Sequence, residues 1–289
     1  MQQVIGNRVE LGTILGGDYA AAGGIYTFRG GNVADLSTTK ISGAGDVASP
    51  APLGLGNMQW APVLLGNLGR FQANNTFQTG FLQGNGSTYN TYAAQLGGGA
   101  RFYFTKDLSL APTFSAIYGH TENQFNVVND IGQLVKNTAS GTYVDWNVDT
   151  WSVVPGLDLK YTWLWGRTAF EFLSRFEYYH TESFASSSAV VGVDGNSQTW
   201  ENKLDADVPL GWQFLGGELH TGGFFSRTEL FGEAAQGLNA SSFYTANGRF
   251  VFDFNGRLWK VHWFGFGASY FWGDHFNGWS AGLDLSFKF

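Results

Sequence analysis

The chain has 289 residues, among them 41 Gly, 26 Phe, 12 Tyr and 11 Trp, with no Cys and only 2 Met. So many rings exceed what a water-soluble core of this size needs and suit a wall that faces lipid between two aromatic girdles. The formal net charge of −7 speaks against a nucleic-acid-binding surface, because phosphate contacts need an excess of Lys and Arg.

Mean hydropathy is −0.11, and no run reaches the roughly 18 apolar residues that a spanning helix requires. A closed barrel is the remaining way to cross a bilayer, since hydrocarbon leaves every unpaired backbone group unsatisfied. Absence of Cys fits export to the periplasm. The opening MQQVIGNRVELG has neither a basic stretch nor an apolar run, so Met1 is expected to replace a removed signal peptide.

In chain order, residues 1–18 form an N-terminal segment: Val9, Leu11 and Leu15 suit a strand, whereas Gly16, Gly17, Gly23 and Gly24 suit an inserted plug. Residues 19–289 are expected to form the barrel, with one strand drawn from 19–43. A loop follows over 43–57, rich in Pro and Gly. Residues 57–66 are either a separate strand, turning at Gly66 to Gly69, or the first half of one long strand. Over 69–81 the pattern sends Phe71, Ala73, Phe77 and Phe81 outward and Arg70, Gln72, Asn74 and Gln78 inward.

Strict alternation then predicts strands at 89–104, 107–122, 142–163, 166–182, 198–214, 217–230, 243–255, 262–272 and 277–289. Short breaks (105–107, 165–166, 215–217 and 255–260) alternate with long ones (123–141, 183–197, 231–242 and the shorter 273–277). Short turns on one rim and long loops on the other are the outer-membrane pattern, with the turns in the periplasm. Either reading of residues 57–66 gives an all-β, transmembrane, antiparallel up-and-down barrel of about 12 strands, between the widths of filled and open barrels.

Phases come from the apolar rows. Trp151, Val153, Pro155, Leu157, Leu159, Tyr161 and Trp163 fall on one face, against Asp158 and Lys160 on the other. The last strand likewise sets Trp279, Ala281, Leu283, Leu285, Phe287 and Phe289 against Ser280, Asp284 and Lys288. Extended along the chain, the rule places the cations Arg70, Arg101, Lys160, Arg167, Arg175, Lys203, Arg227, Arg249 and Lys288 in the lumen. The anions Asp158, Glu171, Glu177, Glu201, Asp205, Asp207, Glu229, Asp253 and Asp284 join them. Over 217–230 charge itself set the phase. Equal numbers of each sign read either as a cross-linked lumen or as a pore with little charge preference, and the row Glu201, Asp205 and Asp207, with Lys203 between, is the candidate for cation selectivity.

His120-Thr121-Glu122 and His180-Thr181-Glu182 each place His and Glu on one face of a strand, as a metal pair would require. Both pairs face outward, just above Tyr118 and Tyr178, where polar residues meet lipopolysaccharide headgroups; no metal site is assigned. Of His120, His180, His220, His262 and His275, none falls on an inward phase beside a nucleophile, so no catalytic residue, cofactor or enzyme activity is expected.

The segments VDTWSVVPGLDLKYTW (148–163), TWENKLDADVPL (199–210), GGFFSRTELFG (222–232) and FGASYFWGDHFNGWSAGLDLSFKF (266–289) resemble the solitary outer-membrane autotransporter-like barrels, over roughly residues 95–289. The ending, with Phe289 behind Phe287, Leu285, Leu283 and Ala281, resembles the assembly signal of outer-membrane barrels in general. The family resemblance implies a twelve-stranded barrel without a secreted passenger, and carries no catalytic motif. Residues and resemblance together lead to two expectations for a monomer in outer-membrane lipid and lipopolysaccharide, inserted by the outer-membrane assembly machinery. One is a narrow passive channel for small solutes, the other a structural or translocation barrel whose lumen is plugged by the N-terminal segment.

Overall fold

In the computed structural model the chain is a closed antiparallel barrel, described over residues 20–28, 35–54, 57–77, 80–214, 216–238, 240–258 and 261–287. The segment 1–18, Lys288, Phe289 and Gln78 lie outside the described residues, as does the side chain of Phe287. The strands are β1 (Ala21–Phe28), β2 (Asp35–Asp46), β3 (Ala51–Pro52), β4 (Gln59–Thr76), β5 (Gly86–Tyr103), β6 (Leu108–Asn126) and β7 (Asn147–Trp165). They continue as β8 (Thr168–Ser186), β9 (Asp194–Phe214), β10 (Gly217–Gly232), β11 (Ser242–Leu258), β12 (Val261–Gly273) and β13 (Phe276–Phe287). Neighbours in sequence pair around the sheet, β1 closes on β13, and β2 pairs directly with β4. The two-residue β3 sits on the foot of β4, so twelve strands make the ring. Among the described residues no helix is long and apolar enough to cross a membrane; strands do the crossing.

Residues 19–43 supply two strands rather than one, and residues 59–76 form a single strand. Gly66 and Gly69, which read as a turn, pair in register with Leu96 and Ala93. A glycine in a ladder withholds a side chain without bending the backbone. Strands also run past their expected ends on the loop side: β6 reaches Asn126, β8 reaches Ser186 and β9 begins at Asp194. Beyond the hydrocarbon the outer face no longer has to be apolar, so the ladder persists where the polarity alternation stops.

The expected long loops carry helices. Asp130–Ala139 starts at Asn129, whose side-chain oxygen accepts from the Gly132 amide at 2.8 Å and from the Asn85 amide at 2.9 Å. A second helix, Glu233–Leu238, stands between β10 and β11. The lipid face matches its expected rows: Trp151, Leu157, Leu159, Tyr161, Phe250, Phe264, Phe266, Trp279, Leu283 and Leu285 all lie on the outer surface.

Candidate functional site: the barrel lumen

The lumen has two unlike halves. Toward the turn rim it is polar and encloses a cavity of about 720 Å³ that runs from Lys106 and Asp107 up to Phe243 and Phe271. Nine expected pore residues line it: Arg101, Asp158, Lys160, Glu171, Arg175, Glu177, Glu201, Lys203 and Asp284. Asp205, Asp207, Arg249 and Asp253 share the inward phase on β9 and β11.

These charges are engaged with one another. Arg175 donates to both oxygens of Asp158, at 2.9 and 3.3 Å, and Lys160 meets Glu171. Arg249 makes a two-pronged contact with Asp205 at 2.6 and 2.7 Å, reaching across β10. Gly222 lies between them, and a Cβ there would come within 2.5 Å of the Ala206 carbonyl and 3.5 Å of the Arg249 Nε. Arg101 donates to Asp46 at 3.1 Å, and the Tyr103 hydroxyl binds the same carboxylate. Lys203 sits 5.3 Å from the centre of the Phe224 ring. His220, expected only beside a turn, points inward with Nδ1 2.5 Å from Asp207. Asp46 and Tyr103 escaped the sequence reading, Asp46 because it closes a Gly-rich stretch that reads as loop.

Toward the loop rim the interior turns apolar. Tyr26, Leu36, Phe71 and Ala73 pack with Leu230, Ala234, Ala240, Phe243 and Phe271 in one buried cluster. A second joins Trp146, Val148, Val191 and Val193, and Tyr89 packs against both. Contributors come from β1, β2, β4, β5, β7, β10, β11 and β12, so the layer runs around much of the inner wall. Tyr26 meets Phe271 edge-on at 5.3 Å and Tyr89 lies 6.1 Å from Trp146. Gly278 leaves room for the Tyr26 ring; a Cβ there would fall 2.3 Å from it.

This layer overturns part of the expected phase. On β4 it is Phe71 and Ala73 that face inward, while Arg70 is exposed outside, 5.6 Å above the Tyr92 ring. On β10 Phe224, Ser226, Thr228 and Leu230 face inward, so Arg227 and Glu229 lie outside, bonded to each other at 2.6 Å. Burial of apolar side chains decided both strands; polarity had been assigned as though the whole lumen were wet. Arg167 belongs to the turn rim, 69% exposed and bonded to Glu218 at 2.8 Å, rather than to the pore wall.

The two outward His pairs stand where expected. His120 contacts Asp149 at 2.7 Å and Glu122 at 3.3 Å; His180 contacts Asn196 and Glu182, both at 3.0 Å. Among the described residues no group of three or more His, Cys, Asp or Glu could hold a metal ion. Beyond the membrane, burial and then the charge of Asp194 raise the carboxyl of Glu233 above its ordinary range.

A closed ring of long tilted strands, aromatic outside and paired-charge inside, defines an outer-membrane β-barrel of the Gram-negative type. The chain belongs to the solitary outer membrane autotransporter β-barrel domain family, whose model matches residues 52–287. Three autotransporter barrels share its fold. The β domain of Bordetella BrkA has 17% identity and a TM-score of 0.56, covering 93% of this chain and 100% of that one. The transport unit of AIDA-I from Escherichia coli has 10% identity and a TM-score of 0.59, covering 93% and 89%. The translocator domain of NalP from Neisseria meningitidis has 13% identity and a TM-score of 0.54, covering 98% and 94%. No curated protein matches the sequence.

Proposed function

We propose that this chain works as a monomeric autotransporter-like barrel, closed at rest to free diffusion of solutes, with its lumen serving as a vestibule open on the turn side and no covalent chemistry of its own. The observation that carries this reading is the buried apolar layer of Tyr26, Phe71, Phe243 and Phe271 on the inner wall at the loop end. Hydrated ions do not cross a packed layer of this kind without its parting. The passive-channel reading has the polar 720 Å³ cavity in its favour and needs that layer to open.

Conductance of the full chain in planar bilayers separates the two. The expected result is silence, with steps appearing when Phe71 and Phe243 are both replaced by Ala, and steady open steps from the unaltered chain would overturn it. Deleting residues 1–18 in a parallel sample tells whether that segment contributes to closure: steps from the deletion alone would shift the plug from the aromatic layer to the N-terminus.

A further inference from the structure

Arg70 stands apart from the other arginines whose side chains are described. Arg101, Arg167, Arg175, Arg227 and Arg249 each hold a carboxylate, namely Asp46, Glu218, Asp158, Glu229 and Asp205. Arg70 faces outward, and its contacts are one 3.3 Å hydrogen bond to the Asn90 side-chain oxygen and the face of Tyr92. No carboxylate lies within ion-pair distance of it among the described residues. Glu122 on β6, two strands away, and Asp149 on β7, three strands away, are both taken up by His120.

Height on the wall fixes what it meets. Along β4 the outward row runs Trp60, Pro62, Leu64, Gly66, Leu68 and Arg70, with Leu64 and Leu68 strongly exposed. From Trp60 to Arg70 the strand climbs about 25 Å along the barrel axis, at roughly 3.3 Å per residue and a tilt of about 40°, which is the height of the apolar band. Trp60 therefore marks the turn-side interface and Arg70 the loop-side one, in the outer leaflet. Thr39 on β2 is its cross-strand partner, and Asn74, Thr88 and Asn90 continue the polar surface above. Among the described residues, no other Lys or Arg shares this outward sector of β2, β4 and β5 at that height.

We propose that Arg70, backed by Tyr92 and flanked by Thr39 and Asn90, is a docking point for a phosphate of the outer leaflet's phosphorylated glycolipid. A guanidinium presents a planar fork that fits two phosphate oxygens, and an exposed cation at the headgroup level with no protein counter-ion is complementary to that anion. Arg227, at the loop-side end of β10, is already neutralised by Glu229 and serves as the internal control.

The test uses the full chain in detergent and native mass spectrometry with three probes: bis-phosphorylated lipid A, the same lipid without phosphates, and phosphatidylglycerol. The unaltered chain should retain bis-phosphorylated lipid A in preference to both others. Arg70→Gln should weaken that binding by about tenfold or more, as loss of a charge-assisted contact implies, while Arg227→Gln should leave it unchanged. Arg70→Lys keeps the charge without the fork and should fall between, which preserves the test should the Gln variant fold poorly. Equal binding by Arg70→Gln and the unaltered chain, or retention of lipid A without its phosphates, would overturn the proposal. A preference for phosphatidylglycerol would overturn the assignment to glycolipid.

Discussion

The two halves of the lumen hold their walls together by different means. In the turn half, opposite charges on nearby strands meet across a polar cavity, as in Arg175 with Asp158 and Arg249 with Asp205. In the loop half, rings and aliphatic side chains from strands all around the barrel meet in a dry layer. One rule, polar side in and apolar side out, describes the first half and is reversed in the second. The membrane requires an apolar exterior only across its hydrocarbon, so above that band the barrel is free to bury apolar side chains inside and show polar ones outside.

The largest expected effect tests the dry layer. Phe71 is 1% exposed, and Phe71→Ala should cost about 3–5 kcal/mol, the usual range for emptying a buried aromatic site. Leu68→Ala, three residues away on the lipid face, should cost far less because lipid refills the space. Unfolding in urea from liposomes measures both; equal losses would place Phe71 outside. Next comes the wall at mid-height, where Leu64→Arg should cost about 2–4 kcal/mol and Leu65→Arg, which lines the cavity, considerably less. The reverse order would place Leu65 rather than Leu64 on the lipid face.

The wet half gives a smaller effect. Asp205 and Arg249 are each under a fifth exposed, and Asp205→Asn leaves the guanidinium with a weaker partner, at a cost of about 1–3 kcal/mol. With Asp207→Asn added, His220 loses its carboxylate too. In a channel opened by replacing Phe71 and Phe243, the reversal potential of this double variant should match that of the same channel without it. A lost cation preference would return these carboxylates to a selectivity role.

How much was legible follows from the same division. Where hydrocarbon lies outside and water inside, as along Trp151 to Trp163 or Trp279 to Leu285, each residue's polarity reports its face directly, and the sequence phase agrees with the structure. Phe71 and Arg70 were misread because an apolar residue beside a charged one is the same local pattern whichever side is wet. On β10 the segment GGFFSRTELFG contains Phe224 and Phe225 in succession, so alternation had no unique phase, and charge was the wrong arbiter. Which carboxylate each arginine takes was also beyond reach: Arg249 passes over β10 to Asp205, a contact set by shear and by the small Gly222 rather than by neighbourhood in sequence. The lumen's lower wall was thus readable in its members and unreadable in its pairings.

The smallest effect sits above the dry half, at the base of the helix between β10 and β11. Glu233 packs its carboxylate against Gly195, where a Cβ would fall 1.9 Å from Oε2, and Asp194 is the adjacent residue. Burial and that charge raise its folded-state value above the unfolded one, so the folded chain holds a proton that the unfolded chain releases more readily. Stability tied to this group is therefore present below its unfolded value and declines as pH rises through the folded one. The start of the helix offsets part of the penalty, since a negative charge in a first turn is favourable. Glu233→Gln removes the titration, and hydrogen exchange over 233–238 should be slightly slower in the variant at pH 7.5 and indistinguishable from the unaltered chain near pH 4. Faster exchange in the variant at pH 7.5 would mean that the carboxylate anchors the helix as an anion, and that the loop end is held by charge as well as by the apolar layer beneath it.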